Sequence, residues 1–415
     1  MGWVAAVPGR KILDHHGSHQ DLLWSPPAGP SFAHRGVDAI VVSTFRRPAY
    51  LAEAADLART LNCFLVTLHS GPWTTAAKAA ERLPADVNLI AIDVPEPTHL
   101  NLPYWDTSRM LAETVFVRRT DLSAKRNLAL LLSHVAAWSR ILFLDDDITG
   151  LNPDDVRKAS SLLDTHNAVG LSVCGFPDHS VVCHAYRQAG GEQQSFIGGG
   201  ALVVEVNRGN SFFPDIYNDD WFFLTDGSKS LQPVAVTGQV IQYPYDPFRN
   251  PDRARAEEFG DVLAEGIYWL LDQDQPITDA DEAYWAGFLV KRRRFIEGVL
   301  DMVKADDALE PHERARRIAA LKGSVGRLAL ITPVLCERYL RAWADDRQRW
   351  LDHVEQLPSG QELPRALASL SRRGCPLLTY RLGGKIGRSV RAKAYSQTIQ
   401  GSRRRSDQVA ASAGR

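Results

Sequence analysis

Ile141-Leu142-Phe143-Leu144-Asp145-Asp146-Asp147-Ile148-Thr149-Gly150 is the stretch on which the fold turns. Four apolar residues stop abruptly at three carboxylates, and the chain then turns at a glycine. So short an apolar run between polar flanks reads as a strand buried on both faces of a parallel sheet. In open α/β sheets the ligand crevice lies beyond the carboxyl ends of such strands. Three carboxylates there repel one another and are costly to desolvate unless something neutralises them. A divalent cation with oxygen ligands is the natural neutraliser. While the chain stays extended, Asp145 and Asp147 share a face. The plainer alternative is a solvated acidic turn.

The surrounding pattern supports the sheet. The segment 39–44 is apolar and leads into Phe45-Arg46-Arg47-Pro48, where Pro48 suits the first turn of a helix. Leu51, Ala54, Ala55 and Ala58 follow at helical spacing. Residues 63–68 form a second strand, 75–82 a helix and 87–94 a third strand. Alternating strands and helices predict a parallel sheet with helices on both faces. A helix is expected over 121–139, N-capped by Asp121, with Leu128, Leu131, Leu132 and Val135 as its apolar stripe. Shorter strands are expected at 169–173, 180–184 and 201–206. From Pro251 the spacing of Phe259, Val262, Leu263, Ile267 and Leu270, then of Trp285, Phe288, Ile296 and Val299, is helical.

Composition limits the function. The chain has 415 residues, a formal net charge of −1 and 45% hydrophobic residues, ordinary for a globular protein with a full core. Near-neutral charge argues against a whole-chain nucleic-acid binder. Five separated cysteines without a CxxC pair support neither a disulfide framework nor a zinc site. Free thiols in a reducing compartment and the lack of a run of about 18–20 apolar residues lead to the expectation of a cytoplasmic protein. Residues 1–36 read as an irregular arm; the cluster of His15, His16 and His19 either binds metal adventitiously or simply belongs to that arm. Residues 37–250 read as the α/β domain, 251–380 as a helical region, and 381–415 as a mobile basic tail. From Arg381 that tail holds nine basic residues against one acid, Asp407. Such a tail is either solvated or makes a peripheral contact with an anionic membrane. Lys291-Arg292-Arg293-Arg294 is either a solvated helix face or a contact for an anionic acceptor.

Four elements, in order, resemble the family 2-like nucleotide-sugar glycosyltransferases of the GT-A fold. Residues 40–48 resemble that fold's first strand and loop. Residues 125–130 (KRNLAL) resemble the helix start preceding its metal strand. Residues 142–147 resemble its DxD strand. Gly198-Gly199-Gly200 and Asn218-Asp219-Asp220-Trp221 resemble its acceptor-side elements, the latter its "ED" motif. The resemblance covers roughly residues 37–250. It implies an α/β GT-A domain with a helical C-terminal extension, binding a nucleotide-sugar donor and a hydroxyl acceptor, with Mn2+ or Mg2+ as cofactor.

Carried over residue by residue, Asp147 with Asp145 would hold the metal. Ser43, Thr44, Arg46, Lys125, Arg126, Asp145 and Asp146 would line the donor. Gly199, Gly200 and Trp221 would face the acceptor, and Asp220, with Asp219 second, would be the base. Metal-bridged phosphates stabilise a departing diphosphate without a proton, and the attacking hydroxyl must lose one. The plainer readings are a surface basic pair at 125–126, a tight turn at 198–200, and a helix cap at 219–220.

The chain departs from the family twice. Its second strand ends in Leu68-His69-Ser70-Gly71, not in the aspartate that reads the nucleobase. No histidine lies between His184 and His312, so a late metal ligand would be water or a carboxylate such as Asp226, Asp246, Asp261 or Glu265. That absence favours an inverting, base-catalysed reaction. The segment 142–149 also fits the motif of haloacid-dehalogenase-like phosphatases, and a non-catalytic sugar-nucleotide-binding protein is a further alternative.

Overall fold

The structure is a computed structural model describing residues 15–27, 35–176, 180–206, 208, 211–227, 230–372 and 378–382. Its strands are β1 (Ala39–Thr44), β2 (Phe64–His69), β3 (Asn88–Asp93), β4 (Arg140–Asp145), β5 (Ile148–Thr149), β6 (Ala168–Gly175), β7 (Ala201–Glu205), β8 (Val234–Gln242) and β9 (Leu378–Leu382). They form one sheet in the order β5-β8-β6-β7-β4-β1-β2-β3-β9. The helices are α1 (Ala52–Leu61), α2 (Ala76–Arg82), α3 (Asp106–Ala112), α4 (Leu122–Val135), α5 (Pro153–Leu162), α6 (Val181–Gln188), α7 (Asp219–Phe223), α8 (Pro251–Leu271), α9 (Glu282–Ala305), α10 (Pro311–Leu328), α11 (Pro333–Glu355) and α12 (Leu363–Ser369).

The β1 strand shows why the sheet is a central layer. Ala39 and Val41 enter one core cluster with residues of α4, α8, α9 and α11. Ile40 and Val42 enter another, with α1, α2 and α5. Successive side chains of a strand point to opposite faces, so a strand covered on both sides must be apolar throughout. Helix α4 lies between the sheet and the C-terminal helices. Its stripe of Leu128, Leu131, Leu132 and Val135 is buried, and so are Lys125, Arg126 and Asn127.

The structure corrects several expectations. The sheet is α/β but mixed: β1–β2, β1–β4, β2–β3 and β6–β8 are parallel, whereas β3–β9, β4–β7, β5–β8 and β6–β7 are antiparallel. A buried antiparallel strand is as apolar as a parallel one, so the pattern of β7 does not reveal its direction. The strand expected at 180–184 is the helix α6, whose N-cap Ser180 accepts a hydrogen bond from the Cys183 N–H at 3.4 Å. The helix expected to reach residue 139 ends at Val135, because Ala137 takes a left-handed φ of 54°. Beyond Arg381 and Leu382, the expected basic tail lies outside the described residues, so membrane contact through it does too. No single helix among the described residues is long and apolar enough to cross a membrane.

Candidate active site

Topology builds the site. From β1 the chain steps outward through β2 to β3, while β4 pairs on the other flank of β1. The order therefore reverses between β1 and β4, the place where open α/β sheets form their ligand crevice. Ser43 lies in register with Asp145, and Thr44 follows it. Because β7 runs antiparallel to β4, Ala201 lies opposite Leu144, and the Asp145 N–H donates to the Gly200 carbonyl at 2.9 Å. The residues just before β7, Gly198 to Gly200, thus meet the acidic end of β4.

The three acids face different partners. Strand β4 stops at Asp145, and Asp146 and Asp147 form a turn. Asp146 turns inward and accepts a hydrogen bond from Thr44 Oγ1 at 2.6 Å. Arg46 lies 3.3 Å from Asp146 and 3.1 Å from Asp147. Asp145 keeps a side-chain exposure of 35% and lies 3.4 Å from Arg126. Burial raises the Asp145 carboxyl to about 6 despite Arg126, with Asp147, Asp146 and Asp220 adding repulsion. Burial also raises Asp146.

Arg126 is the hub. Its guanidinium reaches Asp219 at 2.9 Å as well as Asp145, and lies over the Phe213 ring. Ser123 Oγ is 3.0 Å from the other Asp219 oxygen. Asp219 is thereby committed to helix α4. Asp220, next in sequence, instead accepts the Gly199 N–H at 2.7 Å and the Trp221 N–H at 2.9 Å. Burial and the neighbouring Asp219 charge raise the Asp220 carboxyl. Asn218, just before this pair, has a φ of 61°, a conformation Asn tolerates better than most residues. Asn127 clasps the preceding segment, exchanging two 2.8 Å hydrogen bonds with Phe213.

The glycines are there for close approach. A Cβ on Gly198 would lie 2.9 Å from Asp220 Oδ2, one on Gly200 3.1 Å from Asp145 Oδ2, and one on Gly199 2.5 Å from Arg126 Cζ. The guanidinium is pinned between two carboxylates and cannot step aside. Gly199→Ala is therefore expected to cost about 1–3 kcal/mol, read as a lower denaturation midpoint at unchanged m-value. A midpoint equal to the wild type would show that Arg126 is free to move.

The remaining sequence candidates sort by geometry. Lys125 is buried and donates to the Thr44 carbonyl at 3.2 Å and to Ser70 Oγ at 2.6 Å, tying together the ends of β1 and β2. Asp121 makes no side-chain cap but lies 3.1 Å from Lys125. Trp221 packs against Phe196, Tyr268 and His19. His69 is bound on both ring nitrogens by Thr74 and Thr67 at 2.8 Å, and burial pushes it down to about 4, so it is neutral and structural. Of the later acids, Asp246 pairs with Arg316. Asp261 pairs with Arg292 and Asn218, and Glu265 with His19. The basic run at 291–294 is not one solvated face, because Arg292 is buried against Glu258 and Asp261.

A neighbouring feature escaped the sequence reading. Phe45, Arg46, Arg47, Tyr50 and Trp73 line a cleft of about 320 Å³. Its three aromatic rings are at least half exposed, and the Arg46 guanidinium lies 5.8 Å from the Phe45 centroid and 5.3 Å from that of Tyr50. Exposed aromatics cannot be told from core aromatics without burial; their crowding beside Pro48 and Pro72 was the available signal.

No protein-family model and no curated protein matches the chain. Among solved structures it is similar to a mannosyltransferase from Pyrobaculum calidifontis in complex with GDP-Man and Mn2+. Identity is 15% and the TM-score 0.39, over 80% of this chain and 92% of that one.

Proposed function

We propose that this chain is a GT-A-type glycosyltransferase, moving a sugar from a nucleotide-sugar donor to a hydroxyl acceptor with inversion. The observation that carries this reading is the meeting of Asp145, Arg126 and Asp220 around Gly198 to Gly200, beside the aromatic cleft. A nucleotide sugar requires a surface for a flat base, positive charge for a diphosphate, and a base for the acceptor proton. Phe45, Tyr50 and Trp73 offer ring faces for stacking. Arg46, between those rings and the acidic turn, offers a guanidinium fork suited to phosphate.

The acidic end of β4 fits a divalent ion. Asp145, Asp146, Asp147, Asp219 and Asp220 meet Arg46 and Arg126, while Lys125 is shared between Asp121 and the Asp146 side, so negative charge is in excess. The raised carboxyls of Asp145, Asp146 and Asp220 reflect burial together with that excess. Mg2+-type ions are commonly held by one or two carboxylates plus substrate phosphates. Asp147 with Asp145 would hold Mn2+ or Mg2+, which when bound supplies positive charge against the phosphate oxygens of the departing nucleoside diphosphate.

The rest of the chemistry belongs to the chain. Asp220 takes the proton from the acceptor hydroxyl, and its raised carboxyl holds that proton better than an ordinary aspartate. Asp219 and Arg126 position it, and the Gly199 N–H fixes its orientation. Trp221 walls the acceptor side.

A panel of nucleotide sugars with and without Mn2+, read by thermal denaturation, tests the proposal. A true donor at 100 times its Kd stabilises the protein by about 2.7 kcal/mol. Asp147→Ala is expected to remove the metal-dependent part of that shift. If no nucleotide sugar shifts the transition and generic phosphoesters are hydrolysed instead, the phosphatase alternative replaces this one. A donor that binds without hydrolysis or transfer would leave a sugar-nucleotide-binding protein.

A further inference from the structure

The N-terminal arm carries a second constellation, separate from the acidic end of β4. His19 packs edge-on against Trp221, and His16 and His19 reach Asp272 at the C-terminal end of α8. There the donor atoms of His16, His19 and Asp272 all lie within 4.8 Å of one another. His19 is buried, with Trp221, Tyr268 and Phe196 presenting their rings to it at centroid distances of 5.3, 5.5 and 6.4 Å. His19 Nδ1 makes a short contact with Asp272 Oδ2. His16 Nδ1 lies 2.9 Å from the same oxygen.

Two ring nitrogens, His16 Nδ1 and His19 Nδ1, converge on one carboxylate oxygen. The Glu265 carboxylate lies 3.4 Å from His19 Nε2 and is an acceptor for that N–H. In a neutral imidazole the Nδ1 lone pair would then face an anionic oxygen. A proton there answers it: burial lowers the His19 imidazole, but its contacts with Asp272 and Glu265 outweigh that and raise it to about 9, so both ring nitrogens donate. That proton leaves His16 Nδ1, which lies 2.9 Å from Asp272 Oδ2 without a well-directed hydrogen bond. A divalent ion in place of that proton would take all three donors together, the ligand atoms moving apart to admit it.

We propose that His16 Nδ1, His19 Nδ1 and Asp272 Oδ2 bind a transition-metal ion of the Zn2+ class. Two imidazole nitrogens and one carboxylate oxygen suit Zn2+, and Mg2+ or Ca2+ far less. Water completes the coordination on the side of His16, whose side chain is 42% exposed. Glu265, on the far ring nitrogen of His19, is the outer carboxylate that orients a metal-bound histidine. The ion is a clamp and takes no part in transfer. It fastens the arm to the end of α8, and through the Gln194 N–H on the Gly17 carbonyl (2.8 Å) it steadies the segment leading into Gly198 to Gly200.

The test uses the full-length chain stripped with EDTA and carrying Asp147→Ala, so that the β4 acids cannot account for binding. Zn2+ is titrated calorimetrically, and Co2+ is added as a visible-absorption probe. The expected result is one equivalent of Zn2+, a four-coordinate Co2+ spectrum that Zn2+ abolishes and excess Mg2+ does not, and a Zn2+-dependent rise in melting temperature. Adding His16→Ala, a change at a half-exposed position, removes the spectrum and the rise while the metal-free melting temperature holds. Adding Glu265→Gln instead weakens Zn2+ about 10–100-fold. The proposal is overturned if Asp147→Ala alone abolishes Zn2+ binding, or if His16→Ala leaves the affinity unchanged. It also falls if no Zn2+ binds at micromolar concentration, which would leave protons alone among these groups. None of these outcomes depends on glycosyl transfer, so each bears on the clamp alone.

Discussion

Asp220→Asn is expected to lower transfer by about 10²–10⁴-fold, the usual contribution of a positioned base, while donor affinity stays within error of the wild type. The separation follows from the geometry. On the proposed reading Arg46 and the aromatic cleft would hold the donor, and Asp220 does not line that cleft; its own hydrogen bonds go to Gly199 and Trp221. The substitution has a structural cost as well. An amide NH2 would face one of the two backbone N–H groups that now donate to the carboxylate, at about 1–3 kcal/mol. Melting temperature and donor Kd should therefore be read on the same sample as kcat, so that loss of fold is not mistaken for loss of chemistry. The pH profile gives an independent signature. A base works deprotonated, and burial beside Asp219 raises the Asp220 carboxyl. Wild-type kcat is thus expected to rise with pH through an inflection above the ordinary aspartate range, and that limb should vanish in the variant. If transfer survives in Asp220→Asn, the proton leaves by another route and the acceptor side has been misread.

Much of this site was legible in the sequence because strand ends are. Residues 39–44, 64–69 and 140–145 are apolar runs with polar stops, and the stops are where a doubly covered sheet exposes its chemistry. Gly198 to Gly200 and Asp219-Asp220 were readable as types but not as neighbours. What brings them to Asp145 is the antiparallel direction of β7, which an apolar pattern cannot encode. Strand β8 was missed because Gly238, at a φ of 62°, interrupts its pattern, and its pairing with β6 shifts register between Leu171 and Ser172. The described part of the arm, residues 15–27, has one short helical turn at Gln20–Leu22, and its placement comes from contacts made by His15, His16 and His19 with residues more than a hundred positions away. Arg126 had only half its meaning in sequence. A basic residue at a helix start suggests a phosphate partner, yet burial commits this one to Asp219 and Asp145.

That commitment makes Arg126→Met the substitution with the largest expected effect on stability. The guanidinium is fully enclosed and offsets two carboxylates. Methionine fills much of the volume but leaves those charges without a partner, at a cost of about 3–5 kcal/mol. Against a typical total of about 5–15 kcal/mol, such a loss brings the fold near its threshold. The penalty also has a sign in pH. Burial pushes the Asp145 carboxyl up to about 6 in the folded chain, above its unfolded value. A carboxyl raised on folding binds more protons folded than unfolded, so stability falls as pH climbs from the unfolded value through the folded one. Removing Arg126 takes away the cation that restrains this rise, so the variant is expected to lose more stability than the wild type as pH climbs from about 4 through about 6 and beyond. It should recover as the solution is acidified back toward about 4. Arg126→Met/Asp219→Asn supplies the decisive control. If the cost comes from stranded charge, neutralising Asp219 returns part of it, and denaturant titrations of the four corners of the cycle give a coupling energy of about 1–3 kcal/mol. Additive losses across the cycle, flat in pH, would mean that Arg126 contributes by packing against Phe213 instead of by charge.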